Sequence, residues 1–172
     1  ILHLADGMVC MAKPVKILSI DGGGIRGIIP ALLLSEIERQ TQRPIAELFD
    51  LIAGTSTGGI LALGLVKPGA DGKPNYRAEQ LVALYEKEGG RIFPQTVWQR
   101  IRSAGGLAVE KYPADGLEAV LQEYLGEARL QEALAEVLIT SYEIERHTPW
   151  YFKRRLARDP RQPEQDFLLR EV

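Results

Sequence analysis

Cysteine is nearly absent. The 172 residues contain one, Cys10, so no internal disulfide can form and the fold does not depend on an oxidising compartment. Histidine is almost as scarce, with only His3 and His147, which leaves little choice of a catalytic imidazole. No long apolar run exists either. The longest, residues 28–34, is far below the ~18 residues that a membrane-spanning helix requires. A net charge of −2 removes the electrostatic case for nucleic acid as a partner and for strong attraction to an anionic membrane. Repeats, heptads and low-complexity tracts are missing as well. Residues 1–10 lack the basic start of a signal peptide. With the lone cysteine and no span, this makes a cytoplasmic location the expectation, without excluding secretion.

What is present is ordinary for a globular protein: 45% hydrophobic and 26% charged residues, in a length that suits one domain or most of one. Residues 1–14 read as an N-terminal extension, with Met8 and Met11 as alternative starts, and residues 15–172 as the domain. Residues 166–172 look like the first turns of a helix, so the domain is expected to be incomplete at its C-terminal end.

Periodicity and turn chemistry predict the order of elements. Residues 15–20 form a strand of the buried kind. Residues 28–40 form a helix whose apolar residues Ile29, Leu32, Leu33, Leu34 and Ile37 pack on a sheet, with Pro30 tolerated in its first turn. A helical turn at 45–48 leads to a second strand at 49–53 and a small-residue helix at 58–66, buried all round. After a loop at 67–75, an amphipathic helix at 78–88 is stopped by Gly89-Gly90. A short helix around Phe93, Val97, Trp98 and Ile101 follows, then a helix at 113–125 and strands at 136–142 and 148–153. Pro163 marks a helix start in the last segment. Strand–helix alternation with glycine turns at the strand ends argues an α/β fold, with function at the carboxyl ends of the strands.

Two of those strand ends carry chemistry. Gly54-Thr55-Ser56-Thr57-Gly58 has the pattern of a nucleophile elbow. A turn that sharp leaves no room for side chains two residues either side of the serine, and it presents Ser56 Oγ at a helix N-terminus, where the dipole favours an anion. The simpler alternative is that Thr55, Ser56 or Thr57 only caps the helix.

The stretch Asp21-Gly22-Gly23-Gly24-Ile25-Arg26-Gly27 can be read in three ways. It contains the dinucleotide fingerprint Gly22-x-Gly24-x-x-Gly27, although the second strand ends in Ala53-Gly54 where a ribose-binding acid is expected, and Asp50 lies near its start. It is also a plain tight turn. As a third reading, consecutive glycines expose N–H groups that converge on a developing negative charge, an oxyanion hole. A serine at the next strand end makes the third reading the best joint account. Arg26 binds a phosphate, orients the turn, or sits in a surface salt bridge.

The order Ser56, Asp115, His147 imitates an α/β-hydrolase triad. Asp115 reads better as a helix cap and His147 as an exposed turn residue, so a carboxylate paired directly with serine is the natural alternative base.

Asp21-Gly-Gly-Gly-Ile-Arg-Gly-Ile-Ile-Pro30 and Gly54-Thr-Ser-Thr-Gly-Gly59, in this order, resemble the glycine-rich and serine motifs of the patatin-like phospholipases. The resemblance extends to the Tyr112 region, residues 136–152 and the closing Leu-Leu-Arg-Glu-Val. It implies a three-layer α/β fold with a central, mostly parallel sheet flanked by helices. It also implies a lipid acyl hydrolase working by a serine–aspartate dyad, with no metal or other cofactor. Ser56 would be the nucleophile, Gly23 and Gly24 the oxyanion donors with Gly22 shaping the turn, and Arg26, Gly27, Gly54, Thr57 and Gly58 the supporting residues. The partner would be a glycerophospholipid or another acyl ester, met through peripheral membrane contact.

The family's aspartate lies in an Asp-Gly-Gly or Asp-Gly-Ala motif. The Asp-Gly pairs at 6, 71 and 115 are followed by Met, Lys and Leu, and Asp21 belongs to the glycine turn. The motif is therefore expected beyond Val172. A catalytically inactive patatin fold used for binding and a nucleotide-binding module remain the competing readings. Among Leu61, Leu63, Leu65, Trp98, Trp150, Tyr151 and Phe152, core packing is the expected role, with an acyl pocket as the alternative.

Overall fold

The computed structural model describes residues 14–92 and 114–172. Cys10, His3, Tyr112 and the expected short helix around Trp98 lie outside those residues. Four strands form one sheet in the order β1 (Ile17–Ile20), β2 (Leu51–Thr55), β3 (Glu136–Glu143) and β4 (Thr148–Lys153). The first three are parallel, with Ile20 opposite Gly54 and Gly54 opposite Ile139. A hairpin then returns β4 antiparallel to β3, with Thr140 opposite Tyr151. The α/β architecture with a mostly parallel sheet is as expected.

The helices are α1 (Ile28–Thr41), α2 (Ile45–Leu48), α3 (Thr57–Val66), α4 (Ala78–Ile92), α5 (Ala114–Leu125) and α6 (Arg154–Ala157). At the centre is α3, packed against β1, β2 and β3 and touched by α4 and α5. Its sequence of Gly, Ala, Ile and Leu leaves it no polar face, and Ile60 is its only residue that is not buried. On the sheet side Ile20, Ile52, Val137 and Ile139 complete the core.

Several boundaries and faces differ from the sequence reading. β1 is not buried on both sides: Ile20 is buried, whereas Ile17, on the other face, is 59% exposed. Among the described residues, β1 is an edge strand and the buried face is the one that meets α3. The apolar stripe on α1 is also inverted. Ile29, Leu32, Leu33 and Ile37 are exposed, and the buried residues are Ala31, Leu34 and Glu38. The reason lies in the partner: α1 packs on α4, and Glu38 reaches two helix starts there. Its carboxylate accepts from the Ile45 amide at 2.9 Å and from the Ala78 amide at 2.8 Å, the first residues of α2 and α4.

Gly89-Gly90 does not stop α4, which continues to Ile92 with Gly89 buried. β2 begins and ends two residues later than expected. Residues 166–172 make a single 3-10 turn, Leu169–Glu171, in place of a helix, because Leu169 donates to the Ala128 carbonyl at 2.8 Å and Leu168 bridges to Arg129. Pro163 likewise opens only the 3-10 turn Pro163–Gln165.

Candidate active site

Ser56 stands between β2 and α3 with φ 54° and ψ −124°, a left-handed conformation that costs a non-glycine residue on the order of 1–3 kcal/mol. Tight packing around it holds this backbone. A Cβ at Gly54 would lie 2.4 Å from the Gly58 carbonyl oxygen, and one at Gly58 would lie 2.2 Å from the Ile20 carbonyl oxygen. Neither distance is tolerable, so the two glycines that flank the serine are dictated by close approach.

None of the three hydroxyls in this turn caps the helix. Thr55 Oγ1 pairs with Thr140 Oγ1 across the strands at 2.8 Å. Thr57 Oγ1 is buried and, by donor–acceptor geometry, has no hydrogen-bond partner among the described residues. Ser56 occupies the N-cap position yet makes no side-chain cap bond; its main-chain carbonyl instead accepts from Gly59 at 2.8 Å. The capping alternative is thereby removed, and among the described residues the exposed Ser56 hydroxyl has no hydrogen-bond partner.

The glycine turn lies directly beside it. A Cβ added at Gly22 would be 2.9 Å from Ser56 Cβ, so the two motifs meet only because that position carries no side chain. Gly24 has φ +59°, a backbone that glycine adopts without strain, and it opens the 3-10 turn Gly24–Gly27 that leads into α1. Arg26 folds back within its own turn, with Nε 3.4 Å from the Gly23 carbonyl, and makes no salt bridge among the described residues. Gly27 is buried against Thr57 Oγ1 and the Tyr85 ring. Asp21 is exposed and lines a separate, wider groove of about 580 Å³ between β1 and α1, together with Arg26, Leu33 and Ile37.

A cleft of about 350 Å³ opens at Ser56. Gly24, Ser56, Thr57 and Thr140 form its polar end; Ile60, Leu63, Ile92, Leu121 and Leu169 are among its apolar walls. Leu63 joins the cleft, whereas Leu61 and Leu65 are buried core. Trp150, Tyr151 and Phe152 are not among the lining residues; Phe152 packs edge-on against Phe167 at 5.0 Å between ring centres. Thr140 was missed by the sequence reading. Its signal is its place at the carboxyl end of β3, next to Thr55, which becomes visible only once β2 and β3 are set in register.

The residues of the imitated triad do not converge in what is described. His147 sits exposed in the β3–β4 turn with φ 50°, away from the cleft lining. Asp115 lies inside α5, and its side chain falls outside the described residues. Asp50 accepts from the Lys16 amide at 2.8 Å at the start of β2, the end opposite Ser56. Asp71 accepts from Lys73 in the 67–75 loop. Among the described residues no cluster of His, Cys, Asp or Glu has the makings of a metal site, and no helix is long and apolar enough to cross a membrane.

Comparison with known proteins bears directly on this geometry. The profile of the patatin-like phospholipases, named Patatin, matches residues 18–170. The chain belongs to the patatin-like phospholipase family. Patatin-like protein 2 of Oryza sativa subsp. indica is 40% identical over 151 residues, 83% of this chain and 37% of its own length. Patatin-T5 of Solanum tuberosum is 39% identical over 158 residues, 87% of this chain and 39% of its own. Patatin-17 of Solanum cardiophyllum is 40% identical over the same span and shares. This patatin-like chain thus spans under two-fifths of the length of these relatives. The matched region contains both glycine turns and every cleft residue named above.

Proposed function

We propose that this patatin-like chain carries the nucleophile and oxyanion site of a lipid acyl hydrolase. In this reading Ser56 Oγ attacks the carbonyl carbon of a glycerolipid acyl ester, and its proton passes to a carboxylate. The negative charge that develops on the carbonyl oxygen rests on the main-chain N–H groups of Gly23 and Gly24 and on the positive end of α3. The alcohol leaves, an acyl-serine remains, and water releases the fatty acid. The apolar walls of the cleft take the acyl chain while its polar end takes the ester. Thr57, Gly54 and Gly58 hold the serine turn; Gly22, Arg26 and Gly27 hold the glycine turn.

The observation that supports this reading above all is the strained backbone of Ser56 with Gly22 against it. A helix cap has no use for a left-handed serine, and a nucleotide site has no use for a serine hydroxyl beside its glycines. Outside the glycine turn, to which Asp21-Gly22-Gly23 belongs, no Asp-Gly pair in the 172 residues is followed by Gly or Ala, so the reading takes the proton-accepting carboxylate from a longer form of the protein. Contact with a lipid surface is part of the same proposal, since the substrate lies there.

The test is labelling by a fluorophosphonate together with ester hydrolysis in the full-length protein. Labelling at Ser56, with loss of labelling and hydrolysis in Ser56→Ala, is expected. Hydrolysis that survives Ser56→Ala would overturn the reading, as would saturable micromolar binding of NAD(P) or ATP at the glycine turn.

A further inference from the structure

The face of α4 that looks toward the site has a repeating form. Leu81, Tyr85 and Gly89 recur every four residues and therefore lie in one stripe. Leu81 meets α3 at Gly64, where a Cβ would stand 2.8 Å from Leu81 Cδ2. One turn on, Tyr85 is 2% exposed and donates from its hydroxyl to the Thr57 carbonyl at 2.9 Å. The same hydroxyl and Cε1 of the ring stand 2.7 and 2.8 Å from where a Cβ on Gly27 would be. A further turn on, Gly89 makes room for Ile25, whose Cδ1 lies 2.3 Å from the Cβ that Gly89 lacks. One helical stripe thus touches the residue that follows Ser56 and two residues of the glycine turn.

We infer that Tyr85 is a positioning residue: through Thr57 and Gly27 it holds the glycine turn in register with Ser56. The inference rests on the acyl-hydrolase reading above. Within the turn, the bonds of Arg26 to the Gly23 carbonyl tie the turn only to itself. What fixes it relative to Ser56 is contact with its neighbours: Thr57 Oγ1 lies against Gly27, and among the described residues Tyr85 both bonds the serine side and packs against the glycine side. Burial pushes the phenol up to about 12, so it is a neutral donor over the whole working range of pH. Oxyanion donors act only when aimed at the transition state to within a fraction of an ångström, whereas an apolar acyl chain binds with little regard to that aim. Loss of the clamp therefore appears in turnover more than in substrate binding.

The experiment is Tyr85→Phe in the full-length protein, which keeps the ring and removes the bond to Thr57. For a soluble short-chain ester such as p-nitrophenyl butyrate, kcat is expected to fall about tenfold with KM within about twofold. Fluorophosphonate labelling of Ser56 slows in parallel, and hydrogen exchange of the amides at residues 22–27 speeds up. A folded Tyr85→Phe with unchanged kcat and unchanged exchange overturns the inference. If the parent protein neither labels nor hydrolyses, the acyl-hydrolase reading fails, and exchange at residues 22–27 alone decides: faster supports the clamp, unchanged overturns it. Should Tyr85→Phe not fold, Ile25→Ala, which empties the notch at Gly89 from an exposed position, carries the same exchange comparison with the same two outcomes.

Discussion

The two glycine turns stand side by side at the ends of neighbouring parallel strands, yet they solve opposite problems. The turn around Ser56 is packed to contact: Gly54 and Gly58 each face main-chain oxygen at a distance no side chain tolerates. The turn around Gly23 is open; its nearest neighbours beyond the backbone are atoms of Arg26, at 3.5 Å from a Cβ on Gly23. In the first case glycine is needed so that the surroundings can press on a strained serine. In the second a side chain at Gly23 would meet only its own turn, and under the proposed function that openness leaves main-chain amides free. Gly54 and Gly58 serve compression, whereas Gly23 serves open space, although Gly22 and Gly27 on either side of it are themselves packed to contact.

That contrast is most directly broken by placing the same methyl group in each turn. Gly58→Ala is expected to cost about 3 kcal/mol or more in urea unfolding, since neither α3 nor β1 can retreat from the Ile20 carbonyl. At the serine itself the ranking reverses. Ser56→Gly is expected to be more stable than Ser56→Ala by about 1 kcal/mol, because glycine relieves the left-handed strain and alanine keeps it. Equal melting temperatures for that pair would mean that the serine turn is not under strain.

Gly23→Ala should change stability by less than about 1 kcal/mol, its φ of −178° being open to any residue. If it cost as much as Gly58→Ala, the distinction between a packed and an open turn would collapse. The effect that vanishes at neutral pH belongs to the brace behind both turns. Tyr85 holds its proton up to about 12 in the folded state against 10.0 when exposed. Below pH 10 both states are protonated and stability is unaffected. As pH rises from 10 toward about 12 the unfolded chain loses its proton first, so stability falls over that window. Tyr85→Phe should flatten this decline in a pH series of denaturant melts.

Both turns were legible in the sequence because the constraint there is steric and local. Where only glycine fits at a fixed offset from a serine, the letters themselves carry the geometry. What was not legible depended on partners. Hydrophobicity alone selects Ile29, Leu32, Leu33 and Ile37 as the inner face of α1, but the helix turns Ala31, Leu34 and Glu38 inward because of where α4 lies. Gly89-Gly90 has the form of a helix stop and serves as a notch for Ile25, which no local pattern announces. Thr140 and Tyr85 are distant in sequence from Ser56 and enter the site only through strand register and helix packing. The strand after Pro44 was misplaced by two residues because Gly54 and Thr55, read as the start of a turn, remain extended and paired with β3.

Glu38 gives this scaffold a temporal property. One buried carboxylate of α1 closes the first amides of both α2 and α4, with the Arg77 guanidinium 3.5 Å away. Fraying α2 or α4 at that junction breaks a hydrogen bond to the same buried side chain of α1, so the opening of the three helices is expected to be coupled. Because α4 also carries Tyr85, the brace behind Ser56 belongs to that cooperative unit. Amide exchange in α4, including the segment around Tyr85, is therefore expected to follow that of α1 and α2, coupled at a carboxylate that lines no part of the cleft.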